Sequence, residues 1–352
     1  MGFKKIIFLL LLCSFIAIMF KTKLINIILR NYNEHMYPIK KIKIVTNLTN
    51  VNKMKEEVDL QIESFLEKEN MNDKIYFVIA NALSGGKRLR PIIIISTYNK
   101  LLNGNISQNS KEYEAIMKIS IMTEIIHCAS LVIDDIMDND LERREEPSIH
   151  AQYGETYALL ASLYMITLAV QLLIKSINEI DMKKENMTEL LNLISDKLKD
   201  LSTGQYLDIE FSNDITSNLT KNINNDSLIE MIHKKTSSLF EICFCTSWII
   251  ANSNKDNNKD NINNVLDLAR TFGLIYQIAD DFEDIQQDMR RDGINYAIMN
   301  TPDKAKEEYF KLVEKFENDA NKLNMYSNEL KEIITYLNKK VDMYYKYIKK
   351  YK

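Results

Sequence analysis

Glu124-Ile-Ile-His-Cys-Ala-Ser-Leu-Val-Ile-Asp-Asp-Ile-Met-Asp138 is an apolar run that closes on three acids. Its unbroken apolar character predicts a buried helix, and on a helix Asp134 and Asp138 lie one turn apart on one face, with Asp135 beside them. Like charges at that spacing cost about 0.2–0.5 kcal/mol, and acids near a helix C-terminus oppose the macrodipole by about 0.3–1 kcal/mol. A cation is therefore expected there. Hard carboxylate oxygens projecting together suit Mg²⁺, which takes one or two carboxylates and completes its shell with water and phosphate oxygens. A second copy of the pattern, Asp280-Asp-Phe-Glu-Asp284, follows another apolar run, Leu274 to Ala279. Two acidic clusters at the ends of buried helices are expected to hold two or three metal ions around one diphosphate.

Cations suited to phosphate lie outward from these clusters. Gly85-Gly-Lys-Arg-Leu-Arg-Pro91 places Lys87, Arg88 and Arg90 on a glycine-initiated turn ahead of a helix that Pro91 would open at its first position, a diphosphate cradle. Arg143-Arg144, just past the first acidic cluster, adds guanidinium forks, and Lys235-Thr236 and Gln277 add further donors.

The rest of the 352-residue chain bounds the architecture. It is 46% hydrophobic and 27% charged, with 8 Gly and 4 Pro, and shows almost no period-2 alternation, so an all-α helical bundle is expected. Asn-rich stretches at roughly 103–110, 212–226 and 252–264 look like surface connectors. The four cysteines have no zinc or disulfide-framework spacing, and no basic, aromatic-interleaved face suggests nucleic acid. Residues 1–53 carry nine Lys/Arg against one acid, Glu34. Within them, Ile6 to Phe20 has signal-peptide length (1–20), and the Lys- and Asn-rich remainder (21–53) looks like a transit segment. Together they resemble the bipartite leader of complex plastids, of the apicoplast type; an ER-membrane anchor and mitochondrial import are the alternatives. Residues 54–352 form the expected enzyme domain.

Over residues 55–350 the sequence resembles the trans-isoprenyl diphosphate synthase family, including its geranylgeranyl and polyprenyl diphosphate synthases. The resemblance rests, in order, on residues 85–91, His127, residues 134–138, Arg143-Arg144, Pro147, His150, Gly204-Gln205 with Asp208, Lys235-Thr236, and Gln277 ahead of residues 280–284. It implies the isoprenoid-synthase bundle with a central cavity, a Mg²⁺-dependent prenyltransferase and a homodimer. Lys87, Arg90, His127 and Arg144 would hold isopentenyl diphosphate. Arg143, Lys235, Thr236 and Gln277 would contact an allylic diphosphate bridged by metal to Asp134, Asp138, Asp280 and Asp284, with Asp135 and Asp281 completing the two motifs. Ala129 and Ser130, small where an aromatic would block the growing chain, imply products of twenty carbons or more. Three departures stand out: Glu145 in place of a usual Gly, Ser162-Leu163 in place of Gly-Asp, and a shortened Arg291-Asp-Gly293 segment in which Arg290 or Arg291 would have to replace a Lys. These keep open a weak or regulatory subunit that needs a heteromeric partner. A class I terpene cyclase has no use for the second cradle, and a di-iron bundle would take Glu124 and His127 as an ExxH ligand pair.

Overall fold

The run at 124–138 forms the second half of a 27-residue helix that passes through the middle of the molecule. The computed structural model describes residues 44, 46–107, 110–216, 224–253, 259–291 and 293–351. In chain order these form α1 (Thr49–Lys68), α2 (Asp73–Leu83), α3 (Leu89–Leu101), α4 (Lys111–Met137), a hairpin of β1 (Glu142–Arg143) and β2 (Glu146–Pro147), α5 (Ile149–Tyr153) and α6 (Glu155–Ile177). Next come α7 (Lys184–Thr216), α8 (Asn225–Ile232), a π-turn (His233–Ser237), α9 (Ser238–Ala251), α10 (Lys259–Arg291), α11 (Tyr296–Met299), α12 (Pro302–Lys322) and α13 (Asn328–Tyr351). The expected all-α bundle is what the chain adopts.

Sequence decides which helices are central. In α9 every residue from Ser238 to Ile250 is buried, and in α3 so is every residue from Arg90 to Tyr98, as suits helices apolar on all sides. α4 starts at Ser110, whose hydroxyl accepts the Tyr113 amide at 3.1 Å, with Glu112 and Glu114 in the positive first turn. It packs along α6, while α9 packs on α3, α7 and α10. Edge-on and tilted ring contacts among Phe240, Phe244, Phe272 and Phe316 join α9, α10 and α12.

The π-turn runs straight on from α8 into α9 and carries His233-Lys-Lys-Thr-Ser237. It is pinned from two sides by glycines. A Cβ at Gly204 of α7 would overlap the Lys235 backbone nitrogen, and one at Gly273 of α10 would overlap the Ser237 side chain. The helices approach this turn as closely as they do because neither glycine has a side chain.

Several expectations are corrected. The ordered body begins ahead of residue 54: α1 starts at Thr49, Val51 is buried, and the Glu332 carboxylate accepts the Asn50 and Val51 amides at 3.2 and 3.0 Å, satisfying donors a helix start leaves free. Residues 1–43, which include the signal-like segment, lie outside the described residues, as do Asp292 and the side chains of Arg290 and Arg291. The Asn-rich stretches are helical at their edges, since α7 continues to Thr216, α8 starts at Asn225 and α10 at Lys259. Pro91 is the third residue of α3, still in the first turn whose amides have no helical acceptor. The second acidic cluster lies inside α10, which continues to Arg291, and not at a helix end.

Gly204→Ala is expected to push the π-turn off α7 and lower stability by about 1–3 kcal/mol. Denaturant unfolding of the purified variant measures this.

Candidate active site

A cavity of about 890 Å³ opens between α4, α6, α7, the π-turn and α10, with the residues from Lys87 to Arg90 at one end. Lys87, Arg90, His127 and Arg144 all line it, as the cradle expectation requires. Arg90 lies 4.9 Å from the Phe240 ring centre and leaves its buried Nε without a partner. The Arg144 Nη1 donates to the Ser84 carbonyl at 2.5 Å, which ties the hairpin to the glycine turn. Burial first, then the charges of Arg90 and Arg144, hold His127 well below the usual imidazole range, so at neutral pH it is an uncharged hydrogen-bonding group.

Arg88 also borders the cavity, but its guanidinium is engaged within the protein. It is buried at φ +55°, and its guanidinium bonds Asp59 at 2.6 Å, Glu124 at 3.0 Å and the Leu83 carbonyl. It braces α1 to α4 and is not part of the cradle. Glu124 gives Oε1 to Arg88, and among the described residues no group of three His, Cys, Asp or Glu side chains supports the di-iron reading.

The acidic clusters meet at the cavity through the π-turn. Lys235 Nζ lies 2.5 Å from Asp208 and 3.3 Å from Asp134, and the Gln205 amide donates to Asp134 at 2.6 Å. Burial alone would lower Lys235, but Asp208 and Asp134 more than offset it and hold the ammonium firmly charged. The next residue, Thr236, donates to Gln277 Oε1 at 2.7 Å, and the Gln277 amide donates to Asp281 at 2.8 Å. Two consecutive residues thus reach one cluster each. Desolvation, followed by the Asp134 charge, pushes Asp138 up to about 6; desolvation, followed by Asp280, pushes Asp284 up to about 7.

Asp134 and Asp280 line the cavity, as do Arg143, Lys235, Thr236, Gln277, Ala129 and Ser130, while Asp138 and Asp284 are exposed beside it. Asp135 and Asp281 do not reach it. Asp135 is buried in an ion pair with Arg143, and Asp281 is buried, accepts the Tyr296 amide at 2.6 Å, and is pushed up to about 8 chiefly by desolvation. Both were expected among the catalytic acids, and both side chains are instead engaged within the protein, away from the cavity lining. Among the described residues no three Asp, Glu, His or Cys side chains converge into a ready-made metal cage. Sequence reading named Gln205 and Asp208 without a role, which their contacts with Asp134 and Lys235 now supply, and missed Tyr276 on the cavity wall. The interruption of α7's helical pattern by Gly204 was the available signal for the first two.

A family model described as "Polyprenyl synthetase" matches residues 72–297. The chain belongs to the polyprenyl synthetase family. Within that family it is 29% identical over 240 residues to a short chain isoprenyl diphosphate synthase of Methanocaldococcus jannaschii, covering 68% of this chain and 65% of the relative. It is 29% identical over 232 residues to a geranylgeranyl diphosphate synthase of Saccharolobus solfataricus, covering 65% and 63%. The matched region spans a little under two thirds of each relative. The structure superposes on that of a geranyltransferase from Helicobacter pylori complexed with magnesium and isoprenyl diphosphate, with a TM-score of 0.64 at 22% identity, over 85% of this chain and 98% of that one. At that identity the likeness fixes the isoprenoid-synthase fold of this polyprenyl synthetase.

The β1–β2 turn explains where the chain departs from its family at Glu145. Arg144 and Glu145 have φ of +57° and +70°, the paired left-handed residues of a tight hairpin, where Gly meets no steric penalty. Glu145→Gly is expected to stabilise the protein by about 1 kcal/mol. A rise in the thermal midpoint checks it.

Proposed function

We propose that the chain is a prenyltransferase that condenses isopentenyl diphosphate head-to-tail with an allylic diphosphate, giving an all-trans product of twenty carbons or more. The observation that carries this reading is that one apolar-walled cavity receives both a cationic cradle and the two acidic clusters. Two diphosphates need two such grips, and a cyclase acting on a single diphosphate needs one.

The residues fit a divalent metal. The donors are all carboxylates, and Asp138 and Asp284 are raised first by desolvation and then by neighbouring carboxylates. The lack of a closed protein cage suits an ion that completes its shell with water and phosphate. Asp134, Asp138, Asp280 and Asp284 would hold Mg²⁺, two or three ions in this reading, which when bound supplies neutralising charge to the departing diphosphate. Lys235 and Arg143 add fixed positive charge on the side of the first cluster. Lys87, Arg90 and Arg144 orient isopentenyl diphosphate, with neutral His127 as a hydrogen-bonding neighbour. Loss of the allylic diphosphate leaves a carbocation, the alkene of isopentenyl diphosphate attacks it, and a proton passes to the departed diphosphate to give a new allylic diphosphate. The apolar walls, including Ile133 and Leu201, exclude water that would otherwise trap the cation.

Ala129 and Ser130 on the cavity wall leave room for a long hydrocarbon tail. α6 turns an apolar stripe outward, with Leu160, Leu163 and Ile174 exposed, while Val170 lines the cavity. This stripe supports a homodimer as part of the proposal, a heteromeric partner on the same face being the competing outcome. Delivery to a plastid-type organelle completes the reading and rests on the sequence of residues 1–53 alone.

Incubation of purified protein with labelled isopentenyl diphosphate, Mg²⁺ and each allylic starter is expected to give chain-elongated products, and Ala129→Phe is expected to shorten them. No elongation with any starter would overturn the reading. Protons compete with the metal for Asp138 and Asp284, so Mg²⁺ affinity rises with pH through about 6 to 7 and then levels. Calorimetric titration is expected to give binding roughly tenfold weaker at pH 5.5 than at pH 8.

A further inference from the structure

Lys340 of α13 is buried with no exposed surface. Its ammonium pairs with Asp280 Oδ1 and Glu283 Oε2, so one cation spans two carboxylates of the second acidic cluster. Asp280 lines the cavity and Lys340 does not, so Lys340 acts on the cluster from behind. One turn before it, the Tyr336 ring centre lies 6.0 Å from the Lys87 ammonium, and one turn after it the Tyr344 hydroxyl donates to Glu283 at 3.3 Å. Tyr336, Lys340 and Tyr344 lie at i, i+4 and i+8, so one face of α13 backs both the cradle and the cluster.

Stability alone does not call for this lysine. A buried ammonium carries a large desolvation cost, and well-packed apolar replacements for buried ion pairs are commonly neutral or stabilising. What an apolar side chain cannot do is fix the direction of Asp280. We propose that Lys340 is a positioning residue for the reaction, orienting the Asp280 carboxylate through their ion pair for the metal-bound allylic diphosphate while its helix face supports Lys87. This rests on the prenyltransferase reading and adds to it a residue outside both aspartate motifs.

Charge and orientation predict opposite results when Lys340 is removed. Without the cation the cluster is more negative, so a lysine that merely competed with metal would leave tighter binding behind. A positioning lysine would leave weaker binding, because Asp280 is no longer held. The test titrates Lys340→Met, Lys340→Arg and the unaltered protein calorimetrically with inorganic pyrophosphate in Mg²⁺, alongside initial rates and thermal unfolding. K340M is expected to bind pyrophosphate about tenfold more weakly and to raise the KM for the allylic substrate by a similar factor, with the KM for isopentenyl diphosphate within about twofold. K340R is expected to recover most of the binding. If K340M does not fold, K340R decides alone: binding within about threefold of the unaltered protein supports the proposal, and a larger loss overturns it. Unchanged or tighter binding in K340M, or a KM change shared by both substrates with a lowered thermal midpoint, overturns it as well. Failure of the unaltered protein both to bind pyrophosphate and to elongate would bring down the prenyltransferase reading first, and the proposal with it.

Discussion

Mutual repulsion among carboxylates at one cavity mouth is the constraint around which this molecule is arranged. α4 and α10 are apolar helices that the core holds firmly, and each delivers acids to the same opening. Left alone, such a grouping would splay or take up protons. The fold answers with cations anchored on other elements, Arg143 from the hairpin and Lys235 from the π-turn. Even so, Asp138 and Asp284 remain raised, by desolvation first and neighbouring carboxylates second, so both hold protons more readily than free aspartates. A site built to receive charge from outside would be left in this condition, since full internal compensation would leave nothing for a ligand to add.

Much of this was legible in the sequence because the relevant signals are local. The apolar run to Asp138, the repeat at 280–284 and the glycine turn at 85–86 each encode a short-range geometry, and the cavity gathers Lys87, Arg90, His127, Arg143, Arg144, Lys235, Thr236 and Gln277 as expected. What was not legible depends on partners distant in the chain. Arg88 sits between two cradle residues and reads as one of them. Only its contacts with Asp59 and Glu124, 29 and 36 residues away, turn it inward. Asp135 and Asp281 likewise share a motif with their neighbours, yet helical geometry sends adjacent residues to different faces, and these two are spent on Arg143 and on the Tyr296 amide.

Glu145 teaches a related lesson. As a charge it is an intruder beside Arg143 and Arg144, but its position is first a backbone matter. The tight hairpin needs two left-handed residues, and the chain fills both places with side chains that prefer otherwise. The hairpin is nonetheless the only stranded element among the described residues, and it holds Arg143 and Arg144 at the cavity.

The π-turn carries a further consequence, for where this chain can change length. Each helical residue turns the chain by about 100°, so losing or gaining one between α8 and α9 would rotate Lys235 and Thr236 away from their two clusters and swing the fully buried face of α9 out of register. Glycines on both sides leave no slack to absorb the error. The Asn-rich stretches flank this segment, at 212–226 and 252–264, so changes of length there would leave the π-turn's register untouched.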